Sequence, residues 1–237
     1  MELHIQFPEK GKKLFTSTGN YLEFSHFGWG NINSQFYGYI KGYKESADTL
    51  VNFALASGSI AILDTYIFPI LFLYRQFIEL SIKSLYLEYS EEPIQEKIKS
   101  IKQASHNLAF MWNKLKPILI KASNSQDEKD MIKAVESYVL QYHSFDKSSF
   151  KFRYPIDKDY NPILEGEERI DIINLKERMT ELEHFFSGAD GKLDFLQESK
   201  YEQEQYLREI EAEMKAEYEA EMRAEYEAEM RANMDLY

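Results

Sequence analysis

The sequence predicts an all-α fold, and three observations support that prediction. The chain of 237 residues has only 10 Gly and 6 Pro, few turn-forming residues for its length, which favours long helices over many short strands. Hydrophobic residues make up 44% of the chain and aromatic residues 15%, so there is enough apolar material for a core. Several segments also place apolar residues at steps of three and four, the period of an amphipathic helix.

Three regions follow from this pattern. Residues 1–33 contain aromatic residues and glycines without a sustained period, so we predict an irregular segment that packs on the main body. Residues 34–196 are predicted to form a helical bundle, and residues 197–237 a protruding charged helix. The predicted bundle helices are 34–56 (with Ser34 as N-cap), 59–89 (kinked or broken near Pro69), 93–116 (ended by Pro117), 128–142 and 170–186 (closed by Gly188).

The C-terminal region repeats an eight-residue unit, EMKAEYEA followed by EMRAEYEA, from Glu213. Its apolar residues recur at every fourth position, so the apolar stripe drifts by about 40° per step around a helix, too fast for a heptad coiled coil. Pairs at i,i+4 such as Glu211 and Lys215, Glu219 and Arg223, and Glu227 and Arg231 are in the stabilising order. We predict a solvated single helix, with a role in oligomerisation or in binding a partner chain as the alternative.

Charge and cysteine content limit the functional classes. The net charge is −12, and an acidic chain is poorly suited to non-specific nucleic-acid binding, although a local basic pocket remains compatible with it. The absence of Cys excludes disulfides and thiolate ligands and fits a reducing compartment. The five histidines are scattered, and no phosphate-binding glycine loop occurs, so we expect neither a metal nor a cofactor.

The N-terminus has no apolar run after a basic start, so it does not resemble a secretory signal. The most apolar run, residues 66–74, is about half the roughly 20 residues that a membrane span requires. We therefore expect a soluble cytoplasmic protein that does not cross a membrane.

Two helical segments contain candidate functional residues. Arg75, Glu79 and Lys83 lie four residues apart on an otherwise apolar helix, where charges are costly unless they are paired. One interpretation is an Arg75–Glu79 pair that also binds a neighbouring element; the other places Glu79 in a polar pocket as an acid, a base or an anchor. His106, in the segment SHNLAFMWNKL, is either a hydrogen-bonded packing residue or a proton-transfer group.

The loop SSFKFRYPIDKD (148–159) places Lys151 and Arg153 among aromatic residues. Arg153 could hold an external phosphate, or it could pair with the Arg75/Glu79 region as a structural clasp delivered by the turn at Pro155. We favour the clasp, which predicts that Arg153→Ala destabilises the fold strongly.

The segments YIFPILFLYRQFIELSIKSL, SHNLAFMWNKLKPIL, SFKFRYPIDKD and IDIINLKERMTELEHFF, over residues 35–195, resemble bacterial HEPN-like helical proteins. The resemblance implies a helical bundle that forms a homodimer, and a role in toxin or antiviral defence modules. Many members of the family are metal-independent ribonucleases with an Arg-x(4–6)-His signature. Arg178 and His184 fit that spacing here, although Met179 replaces the usual polar residue after the arginine.

By this resemblance, His184 or His106 would transfer protons while Arg178 or Arg153 neutralises charge on the phosphate of an RNA substrate. On a continuous helix, however, a step of six residues turns Arg178 and His184 about 120° apart. We therefore keep two functional classes open. One is an RNA-targeting, ribonuclease-like effector of a bacterial defence or toxin module. The other is a non-catalytic HEPN-like interaction protein that dimerises and binds a partner chain or a nucleotide.

Overall fold

The computed structural model describes residues 7–17, 19–164, 166 and 169–234, with side chains in the last helix described up to residue 224. Within these residues the regular structure is helical, apart from one isolated bridge between Ile156 and Pro162. The all-α prediction is confirmed. In chain order the helices are α1 (Ile32–Ala56), α2 (Ile60–Tyr89), α3 (Ile94–Ala104), α4 (Leu108–Ala122), α5 (Gln126–Phe145) and α6 (Ile172–Met234), preceded by a 3-10 turn at Tyr21–Glu23.

Helices α1 and α2 form a tight antiparallel hairpin. The Asn31 side chain, rather than that of Ser34, caps α1 by accepting from the Ser34 backbone N–H at 2.9 Å. Three residues connect the helices, and Gly58 supplies the positive φ of 61° that the turn needs. The Ser57 hydroxyl donates to the Ala54 carbonyl at 2.6 Å, which satisfies one of the acceptors left open at the end of α1.

Helix α2 lies at the centre of the bundle and supplies much of its core. Most of its buried residues lie in its second half, and it packs against α1, α3, α4 and α6. The predicted break near Pro69 is absent, since α2 is assigned as one helix from Ile60 to Tyr89. Ile70 and Leu71, directly after the proline, are buried. Their burial offsets the free-energy cost of the backbone hydrogen bond that Pro69 cannot donate.

Among the described residues, one helix, α2, is long and apolar enough to cross a membrane, judged by length and composition alone. A core helix of a water-soluble protein meets the same criterion. In the 18-residue apolar window of α2 that meets this criterion, 28% of the residues are buried in the bundle. Much of this apolar part of α2 is therefore at least partly exposed to solvent.

The predicted helix 93–116 is two helices, because the chain turns at residues 105–107. The Asn107 side chain caps α4 by accepting from the Phe110 N–H at 2.9 Å, and α4 then continues through Pro117 to Ala122. The prediction that Pro117 ends a helix is wrong. The turn carries the candidate residue His106 and thus separates it from both helices.

The polar segment before α5 does contain a helix N-terminus, as predicted. Ser125 accepts from the Glu128 N–H at 3.2 Å, and α5 begins two residues earlier than predicted. Helix α6 differs more, because it passes through Gly188 and Gly191 instead of ending there. Burial of Phe186 and Leu193 on either side of these glycines holds the chain helical despite their low helix propensity.

The predicted boundary between residues 196 and 197 therefore lies inside α6. With 63 residues, this helix is about 95 Å long, and its side chains from residue 201 to residue 224 are largely exposed. Two ion pairs along it are Glu204–Arg208 at 4.0 Å and Lys215–Glu219 at 3.9 Å. Lys215 thus pairs with the following glutamate instead of Glu211, and the predicted Glu227–Arg231 pair lies outside the described side chains.

The N-terminal segment is irregular, as predicted, and residues 1–6 lie outside the described part. Its packing is looser than expected, because Phe27 is 92% exposed and Trp29 is 51% exposed. Trp29 nevertheless lies against α1, because a Cβ added at Gly38 would be 3.4 Å from its ring.

Candidate functional site

The centre of the bundle contains a buried ion pair on α2. Arg75 is fully buried and the Glu79 side chain is only 4% exposed; Arg75 Nη1 donates to Glu79 Oε2 at 2.7 Å. The residues are one helical turn apart, so their side chains lie on the same face. The predicted Arg75–Glu79 pair is confirmed.

Glu79 has two further partners. Lys83, one turn later, donates from Nζ to Glu79 Oε1 at 2.6 Å. His106 approaches from the turn before α4, with Nδ1 at 3.1 Å from Glu79 Oε1. The His106 side chain remains 45% exposed, so one carboxylate lies beneath a half-exposed imidazole and is joined to two cations.

The turn that positions His106 has a strained backbone. Ser105 adopts φ 49° and ψ −103°, a conformation that is unfavourable for a residue with a Cβ. Two cations of α2 bind successive carbonyls of the turn: Lys83 Nζ donates to the Ser105 carbonyl at 2.8 Å, and Arg75 Nη2 donates to the His106 carbonyl. The α2 charges thus stabilise the turn as well as one another.

A second carboxylate completes the coordination of Arg75. Asp146, which follows α5 and is 3% exposed, lies with Oδ2 3.4 Å from Arg75 Nε. Its other oxygen accepts from the Phe150 N–H at 3.1 Å. Gln76 also donates to the buried Ser149 hydroxyl at 3.0 Å. The loop after α5 is therefore anchored to α2 at two adjacent residues. Below, the buried charge cluster means Arg75, Glu79, Lys83, His106 and Asp146.

Arg153 is not part of this cluster, and the predicted clasp is wrong. Its side chain is exposed, and its Nε donates to the Ser149 carbonyl within the same loop at 2.6 Å. The guanidinium lies 5.5 Å from the centre of the Tyr154 ring, which itself stacks on Phe150 at 4.5 Å. The loop reaches α2 through an aspartate, and the expected large cost of Arg153→Ala no longer follows.

Lys151 contacts a different aromatic ring, that of Phe145 at the end of α5. Its Nζ is 4.0 Å from the centre of the Phe145 ring, a cation–π distance. Lys151 and Arg153 therefore stay among the aromatic rings, as the sequence suggests, but they do not converge on Glu79.

Arg178 and His184 also fail to converge. Arg178 pairs with Glu181 at 2.8 Å and faces a groove of about 1010 Å³ between α5 and α6. His184 is exposed and faces a separate, smaller pocket bounded by α4 and α5. Because α6 is one continuous helix, the two side chains project in different directions, and a single chain does not assemble the Arg-x(5)-His pair.

Burial alone would raise the pKa of the Glu79 carboxyl. The hydrogen bond and charge of Lys83, together with Arg75 and His106, more than compensate and hold that pKa below its usual value of 4.5. Glu79 is therefore ionised at neutral pH and accepts hydrogen bonds from its neighbours. This state suits a structural anion and does not suit a general acid.

The depressed pKa of Glu79 predicts a loss of stability in acid. A carboxyl whose pKa is lower in the folded chain stabilises the fold fully above about pH 4.5, and that contribution disappears as pH falls through the folded pKa. Urea unfolding of the wild-type protein and Glu79→Gln between pH 7 and pH 3 measures this effect. We expect the wild-type advantage to shrink below pH 4.5; an unchanged difference down to pH 3 would contradict the assignment.

A second buried cation was missed by the sequence analysis. Lys44 on α1 is 2% exposed and pairs with Asp48 at 2.7 Å and with Glu183 of α6 at 2.9 Å. Asp48 also accepts from the buried Tyr74 hydroxyl at 2.7 Å. The signal was available, since Lys44 lies between Ile40 and Ala47 on the apolar face of α1, with an acid four residues later.

The buried charge cluster is a network of paired charges whose most accessible group is the His106 imidazole, while the Lys83 side chain is 13% exposed. Arg75, Glu79 and Asp146 are too buried to contact a substrate. Within the described residues, no group of three or more His, Asp or Glu side chains is arranged to hold a metal ion. The fold and this cluster define the chain as an all-α bundle with an ionic core; no family model, curated protein or solved structure matches it.

Proposed function

We propose that this chain is a non-catalytic, HEPN-like interaction protein that dimerises through the tip of the α1–α2 hairpin. The observation that supports this proposal is the exposed apolar surface there, formed by Phe53, Leu55, Ile60 and Phe68, which are 41–74% exposed. We call these four residues the hairpin tip. Exposed large apolar side chains gathered at one end of a helical hairpin form a candidate interaction surface.

The composition of the tip favours a second copy of the chain as its partner. Residues 49–74 contain one charged residue, Asp64, so the surface offers little for a charged partner to pair with. Obligate homodimer interfaces are apolar in this way and resemble a domain core cut in half. Two hairpins packed across a two-fold axis would form a four-helix bundle and cover both tips at once.

Light scattering on a size-exclusion column tests the proposal. We expect the wild-type chain to be a dimer and Phe53→Glu/Ile60→Glu to be a monomer, because like charges would be buried in the apolar interface. Both side chains are more than half exposed in one copy, so the monomer should keep its helical circular dichroism.

The matched control is Tyr206→Glu/Leu207→Glu, which changes two similarly exposed residues of α6 and should leave the dimer intact. A wild-type monomer would overturn the proposal, and so would a tip variant that remains dimeric. Wild-type monomers that bind neutral lipid vesicles through the tip would assign this surface to a membrane instead.

One observation favours RNA cleavage as a second candidate function. The His106 imidazole is held by Glu79 through Nδ1 and is 45% exposed, an arrangement that orients a histidine for proton transfer. Expression in a bacterial host, with total RNA examined for fragmentation, tests it. Growth arrest and cleaved RNA that disappear in a folded His106→Gln variant would support this function. Intact RNA with normal growth for the wild type would leave it without support.

A further inference from the structure

Residues 7–17 form an exposed segment at the N-terminal side of the bundle. Residues 7–17 (FPEKGKKLFTS) contain Phe7, Leu14 and Phe15, which are 77–89% exposed. The same stretch contains Lys10, Lys12 and Lys13 against a single acid, Glu9, which pairs with Lys12 at 2.8 Å. The N-terminal arm, as we call residues 7–17, is therefore both apolar and basic.

A groove of about 620 Å³ between α1, α2 and α6 has complementary properties. Its floor includes the side chains of Ile40, Phe77, Leu85 and Phe186. Five acids also line it, namely Glu45, Glu88, Glu183, Asp190 and Asp194. Two of them, Glu45 and Glu183, pair with Lys41 and Lys44 of the same groove, so the excess of negative charge comes from the other three. The groove is thus an apolar channel with an acidic rim, in a protein whose arm is an apolar segment with basic side chains.

We propose that the N-terminal arm of one copy binds the α1–α2–α6 groove of a second copy, so that the two chains exchange arms. Apolar side chains of the arm would cover the groove floor, while Lys10 and Lys13 would face the acidic rim. Such charge complementarity fixes register and partner choice. This inference rests on the self-association proposed above, and it adds a second contact to the hairpin-tip interface.

The structure keeps the described arm outside the groove of its own copy. Trp29 packs over Gly38, while Asn33, at the edge of the groove, donates to Glu88 at 2.8 Å. The chain is thus held on α1 beside the groove, and the residues that line the groove include none from the arm. The stretch between Leu14 and Asn31 can extend about 55 Å, which is enough to reach a neighbouring subunit. Exchange of an identical segment is a low-cost route to a dimer.

Crosslinking tests the exchange cleanly, because the chain has no Cys. Leu14→Cys in the arm and Ser187→Cys at the exposed edge of the groove are made in separate full-length chains, one with an affinity tag. The chains are mixed and treated with a short bis-maleimide. We expect a mixed crosslinked dimer that contains both chains. Leu14→Cys mixed with Leu207→Cys, on the exposed part of α6, is the control and should give little product.

Charge reversal tests the chemistry of the contact. Lys10→Glu/Lys13→Glu should lower the yield of mixed dimer severalfold, and raised salt should do the same, since exposed charges are screened. Asp194→Lys in the groove should partly restore the yield with the reversed arm. A yield that does not respond to any of these changes would overturn the proposal.

Two other outcomes separate this inference from the proposed function. A Leu14→Cys/Ser187→Cys double variant that links only within one chain would assign the arm to its own groove and overturn the exchange. Absence of the mixed crosslink in a protein that light scattering shows to be a tip-dependent dimer would overturn the exchange alone. A wild-type monomer would remove the proposed function itself.

Discussion

Replacement of Arg75 by Met is expected to lower the free energy of unfolding by about 3–5 kcal/mol. The methionine keeps most of the volume and removes the charge. Glu79 would lose one of its cations and Asp146 would lose its buried partner, and both are at most 4% exposed. An uncompensated buried carboxylate is costly because water cannot replace the lost partner. Urea unfolding followed by circular dichroism at pH 7 measures the change.

Arg153→Ala is the matched control, because it removes an arginine from the loop that is anchored to α2. Arg153 is exposed and its Nε bonds only to the Ser149 carbonyl among the described hydrogen bonds, so we expect a change below about 0.5 kcal/mol. If Arg75→Met does not fold, Arg75→Lys, which keeps the charge, is used instead to measure how the loss of the guanidinium contacts changes the free energy of unfolding. Equal small losses for Arg75→Met and Arg153→Ala would show that the buried charge cluster does not stabilise the bundle.

A double variant separates the pair from its surroundings. Arg75→Met/Glu79→Met removes both charges, and we expect it to cost less than the sum of the two single changes, because neither charge is then left without its partner. Lys83 and Asp146 would still lose a contact each, so the double variant should remain less stable than the wild type. Additive losses would mean that Arg75 and Glu79 act independently.

The sequence predicted those parts of the cluster that lie on one helix. Arg75, Glu79 and Lys83 share a face because residues four apart on a helix are neighbours, and this rule does not depend on the fold. Asp146 is different, since it is 71 residues from Arg75 in the chain. Its position depends on how α5 packs against α2, which periodicity does not specify.

The error about Arg153 has the same origin. The sequence shows a basic loop and a buried acid, and pairing them is reasonable when charges must be satisfied. In the fold, the buried group that needs a partner from this loop is Arg75, and the loop supplies it four residues after Tyr142 through Asp146. A carboxylate at the end of α5, followed by backbone N–H groups that it can bind, was the signal that the sequence analysis overlooked.

The helix boundaries show a related limit. Pro117 and Gly188, which the sequence predicts as helix ends, and Pro69, which it predicts as a kink or break, all lie inside continuous helices. Their local cost is about 1 kcal/mol for glycine and about 3 kcal/mol for proline in a helix interior. The free energy gained by burying neighbouring apolar side chains is of comparable size. Tertiary packing therefore decides whether the helix continues through a proline or a glycine. Asn31, Asn107 and Ser125 begin helices by direct side-chain capping, a local effect that sequence analysis can detect.

Trp112→Ala is expected to cost about 3–5 kcal/mol, as large as any substitution in the core. The Trp112 side chain is fully buried on α4, within a core cluster to which all six helices contribute. Removal of the indole would leave a cavity that this packed interior can fill only in part. Urea unfolding at pH 7 measures the loss.

Trp112→Phe refines the same prediction. The Trp112 Nε1–H is buried and has no hydrogen-bond partner among the described residues, and an unpaired buried donor costs about 1–3 kcal/mol. Phenylalanine removes that unpaired donor, which stabilises the fold, and it is smaller than tryptophan, which leaves a small cavity and destabilises the fold. These two effects oppose each other. We therefore expect Trp112→Phe to be far less destabilising than Trp112→Ala, with a loss smaller than the volume change alone would give.

The second tryptophan of the chain provides the control and the spectroscopic signal. Trp29 is 51% exposed in the N-terminal segment, so Trp29→Ala should change the stability of the bundle little. In that variant the tryptophan fluorescence comes from Trp112 alone. Its emission maximum should lie at short wavelength in the folded chain and move to longer wavelength on unfolding. A red-shifted folded spectrum would show that water reaches Trp112, and equal losses for Trp112→Phe and Trp112→Ala would show that the cavity does not determine the cost.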